Sequence, residues 1–345
     1  MAYTTIKKPS DYFNTLLHTG DGTDGRGITG VGFQPDLTWF KSRSAAYESQ
    51  VYDIIRGATK KITTTDSGAE GTQANGLQSF DSDGFTVGNA NATNVNSVTY
   101  ASWNWLASNT TASNTDGSIT STVSANTTSG FSIVSYTGNG TAGATIGHGL
   151  GSAPSMVIVK QLNDTGSWVV YHKSQGATKY GIMDTTSAFG TSSSLWNDTS
   201  PTNSVFSLGS DGDTNGASQT FVAYCFAEKK GFSKFGSYTG NGNADGTFIY
   251  TGFKPAFILI KKTSVASWYI NDNKRSSSGG FNVSDEYLRP NYPNGTGTDQ
   301  NGGDFVSNGF KLRNSDTDYN ISGATYIYMA IAEEPLVGDN PATAR

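Results

Sequence analysis

The chain has 345 residues, and its 23 Lys and Arg residues against 28 Asp and Glu residues give a net charge of −5, which disfavours binding to a phosphate backbone, so no nucleic-acid partner is expected. Aromatic residues form 12% of the chain and 42 residues are Gly, a composition that favours strands and turns over helices. No apolar run approaches the roughly 18 residues of a membrane-spanning helix, so no membrane insertion is expected.

Residues 1–14 are predicted to form an N-terminal arm. Lys7 and Lys8 are not followed by an apolar stretch, so neither a secretory signal nor a transit peptide is expected, and synthesis in a cytoplasm is expected. Pro9 and Ser10 favour a turn or short helix after the first residues. We expect the arm to pair with an edge strand of another chain.

One pattern of short segments occurs three times in the same order, which indicates internal repeats. Each copy opens on a glycine-rich turn, at residues 18–22, 136–140 and 238–242. Each then has a proline followed by an apolar segment that ends on lysine, at residues 35–41, 154–160 and 255–261. Proline is tolerated at the first residue of a strand because its missing N–H falls outside the ladder. These segments are therefore predicted to be central strands.

The rest of each copy is predicted to contain a return strand and a final buried strand. Return strands are expected near residues 50–53, 168–171 and 268–271, and the segments 84–87, 205–208 and 309–312 match one another. Each copy ends on an aromatic-rich strand, at residues 100–107, 220–227 and 325–332. The apolar residues of this last strand alternate poorly, which predicts that both of its faces are buried. The single cysteine, Cys225, lies in such a strand and is predicted to be a buried thiol.

The repeats predict an all-β protein of three tandem antiparallel β-sandwich domains, jelly-roll or lectin-like, of about 100 residues each, with a barrel as the alternative. The predicted boundaries of the three domains are residues 15–108, 131–230 and 231–335. Residues 109–130 are rich in Ser, Thr and Asn and are predicted to be a linker. Residues 336–345 are predicted to be a C-terminal tail.

The sequence offers weak candidates for a metal site. His18, His148 and His172 have no Cys, Asp or Glu at the spacing of a zinc site. Residues 211–216 resemble the first half of a calcium loop, but the twelfth position is Val222, where the bidentate Glu should be. A hairpin turn is therefore favoured over bound calcium, and no metal or cofactor is expected.

The charged segments offer no catalytic assignment. Asp81 and Asp83 flank one turn, Asp316 and Asp318 flank another, and solvated acids are expected at both places. Residues 56–61 are the most cationic stretch and are expected to form a surface loop. No enzyme activity is expected.

Two long loops, residues 184–204 and 285–304, carry Trp196, Tyr287 and Tyr292 among Asn, Gly and Pro. Aromatic side chains in such loops can stack on the apolar face of a sugar or anchor a protein contact. These three residues are the candidate ligand-binding residues. The alternative is that they cover their own loops.

Segments 32–39, 56–60, 79–85 and 136–140 together resemble the tandem-repeat virion structural, or tail-fibre-like, proteins of tailed bacteriophages that infect marine bacteria such as cyanobacteria. The resemblance covers residues 11–332 and is carried by the order of the segments. The second and third copies lack the full Arg-Gly-Ala-Thr-Lys segment of the first.

The resemblance implies a non-enzymatic virion structural protein, a surface appendage or capsid decoration attached to the tail or capsid and assembled in the host cytoplasm. Other virion proteins are the implied partners. A homo-oligomer is expected because virion appendages repeat by symmetry. The alternative is a receptor-binding tail fibre or spike protein that recognises host-surface polysaccharide for host attachment. A third hypothesis is an enzyme that degrades this polysaccharide.

Overall fold

The computed structural model describes residues 4–276, 282–298, 302–315, 318–338 and 341–342. The protein is all-β with several antiparallel sheets, as the sequence predicts, and the described sheets do not close into a barrel. Within the described residues, regular structure other than strands is confined to a 3-10 turn (Pro9–Asp11) and two one-turn helices, α1 (Ser193–Trp196) and α2 (Gly212–Asn215). Neither of these helices has the length or apolarity that crossing a membrane requires.

The strands fall into three units that correspond to the three predicted repeats. Unit 1 contains β1 (Phe13–Thr19), β2 (Arg26–Thr29), β3 (Leu37–Ser42), β4 (Gln50–Asp53), β5 (Lys60–Thr63), β6 (Gly71–Thr72), β7 (Leu77–Asp81), β8 (Gly84–Val87) and β9 (Thr99–Trp105). Unit 2 contains β10 (Ala112–Asn114), β11 (Ser121–Asn126), β12 (Phe131–Thr137), β13 (Ala144–Gly147), β14 (Met156–Gln161), β15 (Val169–His172), β16 (Lys179–Ile182), β17 (Gly190–Thr191), β18 (Val205–Leu208) and β19 (Thr220–Phe226). Unit 3 contains β20 (Ser233–Thr239), β21 (Phe248–Tyr250), β22 (Phe253–Lys262), β23 (Trp268–Asp272), β24 (Val283–Ser284), β25 (Gly303–Val306), β26 (Gly309–Lys311) and β27 (Thr325–Pro335).

Each unit pairs a large sheet with a small one. The large sheets have the strand orders β1-β9-β3-β4-β5-β6, β10-β11-β12-β19-β14-β15-β16-β17 and β20-β27-β22-β23. The small sheets have the orders β2-β8-β7, β13-β18 and β21-β26-β25-β24. The predicted proline-to-lysine strands, β3, β14 and β22, are central in all three large sheets.

Alternate residues of the large sheets face two different cores. In unit 2, Val157 and Val159 of β14 pack in a cluster with Phe206 of the small sheet, whereas Met156 and Ile158 belong to a second cluster. Side chains of successive strand residues lie on opposite faces of a sheet, so both faces of the large sheet are buried. The poor alternation of the last strands predicted this burial.

The second faces of the three large sheets meet in one common core, which we call the central core. It contains Trp39, Trp103 and Trp105 of unit 1, Ile158, Trp168 and Tyr224 of unit 2, and Phe257, Leu259 and Met329 of unit 3. A cavity of only about 20 Å³ remains among these side chains. Each unit therefore covers an apolar sheet face of the other two.

Polar contacts around the central core follow a cyclic order. The indole Nε1 of Trp168 in unit 2 donates to the carbonyl of Thr63 in unit 1 at 2.6 Å, and Trp268 in unit 3 donates to the carbonyl of Ile182 in unit 2 at 2.9 Å. Trp168 and Trp268 occupy equivalent positions at the start of their return strands. Their acceptors, Thr63 and Ile182, occupy equivalent positions on the strand that pairs with the return strand of the accepting unit. Ser49 holds the donor's place in unit 1, and its hydroxyl bonds within its own unit. The interface between units 1 and 2 and the interface between units 2 and 3 therefore carry the same indole-to-carbonyl contact at equivalent positions.

The glycine-rich opening turns are held by a buried asparagine of the same unit. In unit 2, Asn215 Oδ1 accepts from the backbone N–H of Asn139 at 2.9 Å, and its Nδ2 donates to the carbonyls of Thr141 and Gly209. A Cβ atom at Gly138 would lie 2.5 Å from the Gly216 oxygen, so the close approach of the two turns requires glycine.

Residues 109–130, which composition predicts to be a linker, form β10 and β11 and extend the large sheet of unit 2. Val123 and Ile119 bury their side chains in the unit 2 core, while the neighbouring Ser and Thr residues lie on the other face. A Ser/Thr-rich segment can thus serve as an edge strand when alternate positions supply the apolar contacts.

The described part of the predicted arm packs on the body. Ile6 is 1% exposed and belongs to the central core, and the rings of Phe13 and Trp105 lie 4.8 Å apart. Residues 4–13 therefore do not form a free arm, because their apolar side chains are buried in the chain's own core. Residues 1–3 lie outside the described residues.

Candidate functional site

The three loop aromatics selected from the sequence lie in two different settings. Trp196 is 2% exposed in the core of unit 2, and Tyr287 is 7% exposed in the core of unit 3. Tyr292 is 38% exposed, and the guanidinium of Arg289 lies 4.8 Å from its ring centre. Trp196 and Tyr287 thus cover their own units, and Tyr292 is the one of the three that reaches the surface.

The loop that carries Tyr292 lies against unit 1. Lys41 Nζ donates to the carbonyl of Pro293 at 2.7 Å, and the hydroxyl of Thr64 donates to the carbonyl of Pro290 at 2.7 Å. Both donors are buried. These contacts fix Pro293 at the rim of an open cleft in unit 1.

This cleft, which we call the amide cleft, has a volume of about 510 Å³. Side chains from neighbouring antiparallel strands and their loops line it, chiefly Tyr47, Glu48, Gln50, Lys61, Gln73 and Pro293. Asn75 and Asn89 extend the lining, and Nδ2 of Asn75 donates to Oδ1 of Asn89 at 2.9 Å. Carboxamides therefore dominate the polar surface of the cleft.

A chain of hydrogen bonds fixes the floor of the amide cleft. The hydroxyl of Tyr52 donates to Gln50 Oε1 at 2.7 Å, and Gln50 Nε2 donates to Gln73 Oε1 at 2.9 Å. Tyr52 and Gln50 are buried, and burial raises the pKa of Tyr52 far above its ordinary value, so its hydroxyl remains a donor. A Cβ atom at Gly76 would lie 2.3 Å from this hydroxyl, so glycine makes room for the contact.

The charges at the amide cleft are balanced. Lys61 Nζ lies 3.5 Å from Glu48 Oε2, and both side chains are partly exposed. Next to this ion pair, Lys41 Nζ fixes the backbone of Tyr47 by donating to its carbonyl at 2.9 Å. Burial lowers the pKa of Lys41 to about 7. The cleft thus offers neutral hydrogen-bonding groups beside one ion pair.

The residues that line the amide cleft differ between units 1 and 2. The ladders of unit 2 place Gly166 at the position of Tyr47, Val169 at that of Gln50 and Ser192 at that of Gln73. These differences between the copies are present in the sequence, but a prediction based on loop aromatics missed them.

An aromatic pair is exposed on unit 3. Phe248 is 44% exposed and Tyr250 is 55% exposed on the edge strand β21 of the small sheet. In unit 1 the equivalent residues are Gly27 and Thr29. The pair lies outside the lining of the amide cleft.

The calcium-like segment forms a helix cap. Asp211 accepts from the backbone N–H of Asp213 at 3.0 Å at the start of α2, where a hairpin turn was expected. Among the described residues, no group of three or more His, Cys, Asp or Glu side chains has the arrangement of a metal site. His18, His148 and His172 each lie within hydrogen-bond distance of a backbone carbonyl.

The cationic stretch was expected to be a surface loop, and for Arg56 this expectation is wrong. The side chain of Arg56 is 3% exposed, and its Nε donates to Asp53 at 2.5 Å. Arg275 of unit 3 is equally buried, and its Nε donates to Asp272 at 2.7 Å. Burial of a guanidinium requires such a partner, and a carboxylate three residues earlier supplies it in both units.

The acid pairs that flank turns have structural partners. Asp81 accepts from the hydroxyl of Thr86, and Asp83 accepts from backbone N–H groups of the adjoining strand end. Asp318 accepts from the hydroxyl of Tyr269, and Asp316 lies outside the described residues. The carboxylate that lines the amide cleft is Glu48.

The model of one protein family, described as a domain of unknown function (DUF7483), matches residues 8–335 of the chain. No curated protein and no solved structure matches the chain. The matched region spans all three units, so the family domain corresponds to the whole body built around the central core.

Proposed function

The chain belongs to the DUF7483 family, and from this premise we propose that it is a non-enzymatic structural protein of a tailed-bacteriophage particle, a surface appendage or decoration attached to the tail or capsid. The order of the sequence segments that resemble tandem-repeat virion proteins supports this proposal. The proposal includes assembly in the host cytoplasm, other virion proteins as partners and a homo-oligomeric state, because particle components repeat by symmetry.

The observation that carries the proposal is the central core. A displayed protein must keep its shape outside the cell, and this chain has a single cysteine, which is buried. Three large sheets that bury both faces provide stability by packing alone. A body of this kind can present three different outer surfaces in a fixed geometry.

We propose that the chain attaches to the particle through a surface of its folded body rather than through a free N-terminal arm. The predicted free arm would have supplied a strand to another chain, but Ile6 is buried in the central core. Removal of residues 2–10 is therefore expected to destabilise the body as well as to affect attachment.

A second candidate function is recognition of a host-surface polysaccharide, and the amide cleft favours it. Glu48 alone among the described lining residues is a carboxylate, whereas glycoside hydrolysis usually requires two carboxyl groups about 5–10 Å apart. Binding without cleavage fits this lining better than catalysis does.

Protein identification on purified particles tests the proposed function. We expect mass spectrometry to detect the chain in density-gradient-purified particles of the phage that encodes it, and antibodies against the folded protein to label intact particles. Detection in infected-cell lysate together with absence from purified particles would contradict the proposal.

A further inference from the structure

We propose that the amide cleft of unit 1 binds an uncharged saccharide, a neutral hexopyranose unit of a glycan. This inference rests on the second candidate function, host-glycan recognition, and assigns its site and ligand class.

The hydrogen-bonding groups match hydroxyl groups. Oε1 of Gln73 accepts from Gln50, and its Nε2 has no protein partner among the described residues. A carboxamide presents a donor and an acceptor side by side, and a sugar hydroxyl both donates and accepts. Glu48 adds a carboxylate at the rim, where it can accept from a second hydroxyl.

These groups are held in place before a ligand arrives. Gln50 is fixed by Tyr52, and Tyr52 is enclosed in the core of unit 1. The backbone of Tyr47 is fixed by Lys41. Preorganised groups lose little conformational entropy on binding, which is important for a small hydrophilic ligand.

An apolar wall stands beside the polar groups. Tyr47 and Pro293 line the cleft from two different units, and the contact from Lys41 to Pro293 closes the seam between them. A pyranose has an apolar face of C–H groups that packs on aromatic rings. The volume of about 510 Å³ lies within the range of small-molecule sites and accommodates one or two sugar rings.

The charge balance favours a neutral ligand. Lys61 is the cationic side chain of the lining, and it is paired with Glu48. Recognition of sulfated or uronic-acid sugars would call for unpaired Arg or Lys groups. A neutral sugar bound by carboxamides should bind equally well at low and high salt, since no ion pair forms with the ligand.

Ligand-observed NMR with the whole chain tests the proposal. The probes are the methyl glycosides of glucose, galactose and mannose, with methyl glucuronide as the charged comparison. We expect saturation transfer to at least one neutral glycoside, unchanged by 0.5 M NaCl. Gln73→Ala and Tyr47→Ala should each weaken this binding at least tenfold.

The controls separate loss of the site from loss of the fold. Gln175→Ala in unit 2 and Tyr250→Ala in unit 3 remove a similar amide and a similar aromatic ring outside the cleft, and both should bind like the wild type. Thermal unfolding verifies that all four variants are folded, since all four side chains are partly or largely exposed.

Absence of binding to all three neutral glycosides, unchanged binding by both cleft variants, or binding of the glucuronide alone with loss at high salt would each overturn the proposal. Failure here would leave the particle role intact if the chain is found in purified particles. Binding together with absence from particles would instead support the cleft and contradict the particle role.

Discussion

The hydroxyl of Tyr224 in unit 2 donates a 2.7 Å hydrogen bond to Oδ2 of Asp53 in unit 1. The next interface repeats this geometry, where the indole of Trp103 in unit 1 donates to Asp272 in unit 3 at 3.0 Å. At the remaining interface, His172 of unit 2 occupies the position equivalent to Asp53 and Asp272. Its Nε2 lies 3.1 Å from the backbone carbonyl of Tyr328 in unit 3. One polar contact thus recurs at each junction of the central core, with its chemistry changed in one copy.

Asp53→Asn should be strongly destabilising. The substitution removes the carboxylate that pairs with the buried Arg56 and accepts from Tyr224, and breaking a buried ion pair costs about 3–5 kcal/mol. Urea unfolding measures the loss. The exposed Asp164→Asn should change the free energy of unfolding by less than about 0.5 kcal/mol. A loss at Asp53 no greater than in this control would be inconsistent with the structure.

The three units should unfold together. Leu259→Ala in unit 3 leaves a cavity in the central core and should lower the free energy of unfolding by about 2–5 kcal/mol. Tryptophan fluorescence, which reports all three units, and far-UV circular dichroism should give one coincident transition. Val265→Ala, at a 66% exposed position of the same unit, is the matched control. Separate transitions in the Leu259 variant would show that the units are independent domains.

His172 should make stability depend on pH. Burial lowers its pKa to about 4 from an ordinary value of 6.5, so between these values the unfolded chain binds more protons than the folded chain. The stability that its neutral form contributes is complete above pH 6.5 and is lost as the pH falls towards 4. In His172→Gln, the slope of melting temperature against pH between 4 and 6.5 should be smaller than in the wild type. An identical slope would indicate that this histidine does not titrate on unfolding.

The asparagine that holds each opening turn should be more important than its surface neighbours. Asn215→Ala removes hydrogen bonds to Asn139, Thr141 and Gly209 and should cost about 1–3 kcal/mol, because the buried carbonyl of Gly209 and two partly buried backbone bonds lose their partner. Chemical denaturation compares this variant with Asn96→Ala, an exposed position, which should be nearly neutral. Equal effects would contradict the role assigned to the turn.

The strands could be predicted from the sequence because their signals are local. Glycine turns, prolines and strand-forming residues act together within about ten residues of each strand. Pro35 and Pro154 lie two residues before β3 and β14, rather than at their first residue as predicted. Pro255 lies inside β22 at an irregularity of the ladder, where a missing N–H is tolerated. Poor alternation in β9, β19 and β27 also predicted correctly that both faces are buried.

The arrangement of the units could not be predicted in the same way. An apolar second face indicates that something covers it, but the periodicity is the same whether the cover is a partner chain or another repeat. Trp168 and its acceptor Thr63 are separated by more than a hundred residues, and neither residue type identifies the other. Arg56 was similarly misplaced at the surface, because its cationic neighbours Lys60 and Lys61 dominate the local pattern.

The candidate site was missed for a related reason. Sequence reasoning favoured aromatics in long loops, and two of those three rings pack in the cores of their own units. Gln50 and Gln73 are common polar residues whose proximity depends on the pairing of β4, β5 and β6. Pro293 joins them only because unit 3 packs against unit 1.

A cryo-EM map of the intact phage particle would report both the role of the chain and the arrangement of its three units. We expect surface density at the tail or capsid into which one chain fits as three lobes packed around the central core. A map of comparable resolution with every surface component assigned to other proteins, or with the three repeats spaced apart like beads along a fibre, would contradict this expectation.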